Sequence, residues 1–169
     1  MNDNLLKKLP KVVRERFTDI PDTFYDTDKS VIELRAAQAF ARKALDEASA
    51  ELDRVRSVIA ESNESAEMAR QQLADLVAQR GEALAREFLD GGLFEDDDRM
   101  LDEIHALRTT IERVTLAGPV LERIRRERNR EVEIAFDRDY DASQKVSDRI
   151  NKLKLAEALF FTGEKATGI

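Results

Sequence analysis

Residues 38–76 read QAFARKALDEASAELDRVRSVIAESNESAEMARQQLADL. Apolar side chains recur there at alternating steps of three and four. Ala41, Leu45, Ala48, Leu52, Val55, Ile59, Ala66, Ala69, Leu73 and Leu76 hold ten of twelve such positions, and Gln38 and Ser62 hold the other two. A repeat averaging 3.5 residues, sustained over five heptads, predicts a helix wound left-handed against a partner. Alanine returns at one of the two seam positions. Small side chains there let two helices approach closely, which suits an antiparallel pair.

Working outward from this seam, no glycine or proline falls between Lys29 and Arg80. The stretch DTDKSVIELR, residues 26–35, supplies a helix start. Asp28 or Ser30 is expected as the N-cap, and Glu33 stands at capping-box spacing from Ser30. At the other end LDGGLF, residues 89–94, stops the helix near Leu89, with Gly91 or Gly92 as a left-handed cap. The acidic run Glu95–Asp98 follows. A calcium loop needs spaced ligands and a glycine that this run lacks, so the acids read as an N-cap and first turn complementing the helix dipole.

A second seam then runs from Met100 through Ile104, Leu107, Ile111, Val114, Gly118 and Leu121 to Val132, Ala135, Val146, Leu153 and Phe160. Arg125, Arg128, Asp139 and Arg149 are its polar interruptions. Gly118-Pro119 does not shift the phase, so it is expected to kink or briefly restart the helix rather than end it. Two long helices joined by a tight turn must lie antiparallel. The predicted fold is therefore all-α: a long antiparallel two-helix coiled-coil hairpin with an extended or short-helical N-terminal arm, open to packing into a larger helical bundle by oligomerisation. Its expected parts are an arm over 1–28, helices over 29–90 and 96–161, a turn over 91–95, a kink at 118–119 and a tail over 162–169. Arms of about 60 residues give a hairpin of about 90 Å.

The arm differs in composition. It holds Pro10, Pro21, Phe17, Phe24 and Tyr25, and five Lys/Arg against three Asp/Glu up to Ile20. A short helix is expected over Lys11–Thr18, ended ahead of Pro21, with the rest extended.

Counting from the turn, facing residues should have numbers summing to about 183–187. Arg125 then faces Glu61, Ser62 and Glu64, Asp139 falls near Lys43 and Leu45, and Arg149 falls near Glu33 and Gln38. Glu122–Arg130 holds five arginines in nine residues. Two readings compete for it. In the first, Arg125 and Arg128 form a charged layer with Glu61, Ser62 and Glu64 that fixes hairpin register, and Glu122 and Arg126 make a surface i,i+4 pair. In the second, Arg123, Arg126 and Arg130 meet phosphate or an acidic partner. Net charge is −7 and the region lacks aromatic residues for base stacking, so nucleic acid is the weaker expectation.

The remaining chemistry is sparse. Cysteine is absent, which removes disulfides and thiolate chemistry. His105 is the only histidine. Its Asp102-x-x-His105 spacing is half of a carboxylate-bridged metal motif that needs a second copy. The GEKATG segment, residues 163–168, lacks the Lys-Ser/Thr and preceding strand of a phosphate loop. No segment approaches the length of a membrane span or signal peptide, and two helices alone offer a seam rather than a pocket. The expectation is a non-enzymatic protein with no cofactor, metal, small-molecule or membrane partner.

Surplus apolar residues carry more. Val58, Val77, Leu84 and Phe88 flank the first seam, and Ile124, Phe136, Ile150 and Leu159 flank the second, wider than one partner helix can cover. Phe88, Leu89, Leu93 and Phe94 gather at the turn, Phe160 and Phe161 at the open end, which the arm can reach while the turn lies beyond it. Exposed patches of this kind mark contacts. They suggest self-association or a larger protein partner: a structural or assembly subunit, or a scaffold or chaperone that binds a client transiently. By analogy of class only, such small acidic rods suit bacterial or bacteriophage particle components, with a cytoplasmic or particle location.

Overall fold

In the computed structural model, the structure describes residues 9–91 and 98–167, with side chains to Phe161. Among the described residues the helical elements come in the order α1 (Lys11–Asp19), a 3-10 turn (Asp22–Tyr25), α2 (Lys29–Asp90) and α3 (Asp98–Thr167), and there is no strand. The two long helices pack against each other as an antiparallel hairpin. They form two compact units: Met1–Ala48 with Glu131–Ile169, termed the arm unit, and Ser49–Arg130, termed the hairpin unit.

Local chemistry sets the element boundaries. Ile20 is extended (φ −81°, ψ 115°), as a residue before proline must be, so α1 ends there. The arm beyond it is not extended as the sequence suggested. Pro21 instead opens the 3-10 turn, its carbonyl accepting from the Phe24 amide at 3.1 Å. Asp28 caps α2: one carboxylate oxygen accepts from the Ser30 amide at 2.9 Å and the Val31 amide at 3.2 Å. Ser30 is thus inside the helix, and its hydroxyl also donates to Asp28. That hydroxyl bond, opposed by burial and helped by the two amides and the charge of Arg149, holds the Asp28 carboxyl below its usual 3.8. Gly91 closes α2 at φ +70°, the left-handed conformation a C-terminal cap requires. Helix α3 runs unbroken past Pro119. It also continues through Thr167, so a tail starting at residue 162 is not what the backbone shows; Glu164, Lys165 and Ala166 are good helix formers.

In the arm unit, the arm makes a third layer. Ile20 and Tyr25 bury with Val31, Val146 and Ile150, backed by Leu34 and Leu153. Val13 and Phe17 bury with Ala158, backed by Leu9 and Leu155. Ile150, Lys154 and Ala158 follow one another at steps of four, so a single stripe of α3 receives the arm. Lys154 is buried, with its ammonium on the Asp22 carboxylate and 5.7 Å from the Phe17 ring centre. Among the described residues the hairpin unit has only its seam, and the buried apolar ones are Leu52, Ala66, Ala69 and Ile104.

Candidate interaction surfaces and a polar groove

Polar side chains join the long helices of the arm unit. Gln38 donates to Ser143 (2.9 Å), Arg42 pairs with Asp139 (3.2 Å), and the Arg149 guanidinium donates to Ser30 (2.6 Å). The first two pairs sum to 181 and the third to 179, below the expected 183–187. Asp139 therefore meets Arg42 rather than Lys43 or Leu45, and Arg149 meets the first turn of α2 rather than Glu33 or Gln38. Counting from a turn cannot fix register; the bonds at Ser30 and Asp139 do. Tyr25 donates its hydroxyl to Glu157 at 2.5 Å. Burial first, then this bond and the carboxylate charge, raise the Tyr25 phenol well above its usual 10.

Beside these pairs lies a groove of about 640 Å³. Arg35, Ala39 and Arg42 of α2 form one wall, Ser143, Ser147 and Ile150 of α3 the other, and Asp22 of the 3-10 turn adds to the lining. The two long helices supply nearly all of its lining, and the arm adds one residue at its edge. Its charges are matched: Arg35 pairs with Asp26 at 2.6 Å and Arg42 with Asp139 and, at 3.7 Å, Asp46. The lining offers hydrogen bonds but no histidine or cysteine. The periodicity of Arg35, Ala39 and Arg42 places them on one flank, a signal that becomes meaningful only once the arm's position is known.

Arg125 and Glu61 do not meet in the layer drawn from the sequence. Arg125 is exposed and pairs with Glu122 on its own helix at 2.9 Å, and Glu61 accepts from Ser57 on its own helix at 2.8 Å. Glu122 thus serves Arg125 rather than Arg126. An i,i+3 partner is always within reach, whereas a partner across the seam must first be in register. Ser62 and Arg128 are half-buried and Glu64 is exposed. Arg123, Arg126 and Arg130 all face solvent, Arg123 with Glu127 at 3.9 Å.

The apolar ends separate. Phe88 and Leu89 are 81% and 86% exposed. Phe161 is 40% exposed, edge-on to Phe160 at 6.1 Å, with the Arg16 guanidinium 4.9 Å from its ring centre. The arm therefore reaches the Phe160–Phe161 end. Leu93 and Phe94 lie outside the described residues, as do residues 95–97 of the acidic run; Asp98 opens α3. His105 is exposed beside Val77, Leu101 and Arg108. Among the described residues no three His, Asp or Glu side chains are grouped to hold a metal ion, and no described helix is long and apolar enough to cross a membrane.

These features define an antiparallel helical hairpin with a docked N-terminal helix and several uncovered apolar faces. Compared with known proteins, the chain matches no family model, no curated protein and no solved structure.

Proposed function

We propose that this chain is a non-enzymatic structural or assembly subunit, of the kind that builds a bacterial or bacteriophage particle, and that it associates with copies of itself through its uncovered apolar faces. The observation that supports this reading is the contrast in the hairpin unit. Among its described residues it buries four apolar ones, two of them alanine, yet leaves Val58, Met68, Val77, Phe88, Leu89, Leu116 and Val120 at 42–86% exposure. Burying a large aliphatic or aromatic side chain is worth about 1.5–3 kcal/mol, so covering several of them drives association.

Light scattering during size exclusion, at low and high salt, tests the proposal. Refractive index serves as the detector, because a chain with no Trp and two Tyr absorbs weakly. The expected mass is a multiple of 19.3 kDa that persists at high salt, since apolar burial is not screened. A monomer at every concentration would overturn self-association and leave a foreign partner, such as a client, as the remaining use of these faces.

A further inference from the structure

The two flanks of the hairpin unit differ. Val77 directly follows seam residue Leu76, Leu101 directly follows seam residue Met100, and both line one groove with Arg108. Residues that directly follow such seam positions thus share that flank on both helices. Val58, Ala117 and Ile124 each directly precede a seam residue (Ile59, Gly118 and Arg125) and so occupy the opposite flank. Met68 and Val120 extend this second flank outward, and Leu116 lies one turn before Val120 on α3. Val58, Met68, Leu116 and Val120 are 42%, 55%, 70% and 47% exposed, and Ile124 is half-buried at the edge of the seam.

The α3 part of this patch has an internal symmetry. Leu116 and Ile124 stand four residues to either side of Val120, and Arg113 and Glu127 stand seven to either side. Reversed in direction, the stripe places apolar on apolar, and its cation on its anion. An isologous two-fold contact requires that kind of self-complementarity, and a foreign partner would not. Glu127 has only a long contact to Arg123, with both side chains mostly exposed, so it is available for a second cation.

We propose that a second copy of this chain docks on the Leu116–Val120–Ile124 stripe of α3, antiparallel and two-fold about Val120, with Arg113 of each copy opposite Glu127 of the other. This rests on the reading of the chain as a self-associating subunit and names the surface that does it. Val120 packs on its own symmetry mate, Leu116 packs on Ile124 of the other copy, and Val58 and Met68 of α2 border the contact.

The absence of native cysteine makes cross-linking a clean test. Val120→Cys should form a disulfide dimer of twice the chain mass on mild oxidation, and so should a mixture of Leu116→Cys and Ile124→Cys copies. Val77→Cys, on the other flank, should not. Arg113→Glu alone and Glu127→Arg alone should each weaken dimerisation about tenfold or more, and the double variant should restore it. Circular dichroism on each variant confirms that the helices remain. If the wild-type chain is oligomeric but Val120→Cys links no better than Val77→Cys and the charge reversals have no effect, this surface is wrong while self-association stands. A wild-type monomer would overturn both.

Discussion

The arm unit and the hairpin unit use the same two helices and obtain different interiors from them. In the arm unit Val13, Phe17, Ile20 and Tyr25 cover a stripe of α3 that the seam leaves bare, and two buried clusters result. In the hairpin unit nothing among the described residues supplies that third layer, and only Leu52, Ala66, Ala69 and Ile104 are buried. The difference shows that a heptad seam specifies pairing without building a core. A core requires an element to close the flank, and α1 with the 3-10 turn after it does so in one unit.

The contrast breaks most visibly if α1 is loosened. Phe17→Ala removes a buried ring from the α1 cluster and should destabilise the arm unit by about 3 kcal/mol. Hydrogen exchange should show lost protection in α1 and around Leu155–Ala158, with Leu52–Ala69 unchanged. Equal loss in both units would mean that they unfold together and that the division is only geometric.

Smaller in effect is the polar closure of the arm. Tyr25→Phe removes the bond to Glu157 and should cost about 1–2 kcal/mol. Its pH dependence follows from the raised phenol pKa. The unfolded chain loses the Tyr25 proton near pH 10 while the folded chain keeps it. The contribution is therefore whole below about pH 10 and is lost as pH rises through the folded-state value. Asp28 acts at the other extreme. Its lowered carboxyl contributes above the usual 3.8 and loses that contribution as pH falls through the folded-state value. Thermal melts of the arm unit should decline in both directions, and the alkaline decline should be weaker in Tyr25→Phe. An unchanged alkaline slope would detach Tyr25 from arm docking.

What the sequence shows of this molecule is its local chemistry. The strict repeat over residues 38–76 announces two paired helices, Gly91 announces the end of one, and Pro21 the end of α1. Each signal lies within a few residues of the feature it dictates. The docking of Phe17 on Ala158 and the bond from Tyr25 to Glu157 join residues far apart in the chain, and no periodicity encodes them. The groove needs the exact register of α2 against α3 and one residue of the docked arm, and neither is written in the periodicity. The arginine stretch misleads differently: Arg125 has a carboxylate three residues away, and the local pair forms where the seam partner was expected. Phe88 and Leu89 stand out in the sequence as surplus to the seam because exposure, unlike contact, needs no knowledge of the partner.

The smallest effect concerns helix propensity, which should matter more where packing contributes less. Gly81 lies inside α2 in the hairpin unit, and a methyl group added there would meet nothing within 4 Å. Gly81→Ala should therefore stabilise the hairpin unit by about 0.5–1 kcal/mol, by reducing the freedom of the unfolded chain. Gly91 has equal space, but its φ of +70° opposes a side chain, so Gly91→Ala should destabilise the end of α2 by about 1 kcal/mol. Space is the same at both positions and backbone angle is not, so opposite signs in denaturant melts, with exchange changes local to each site, isolate the backbone term. A stabilisation at Gly81 that spread equally into the arm unit would show that the thin seam transmits stability along the helices, and the separation between the two units would have to be redrawn.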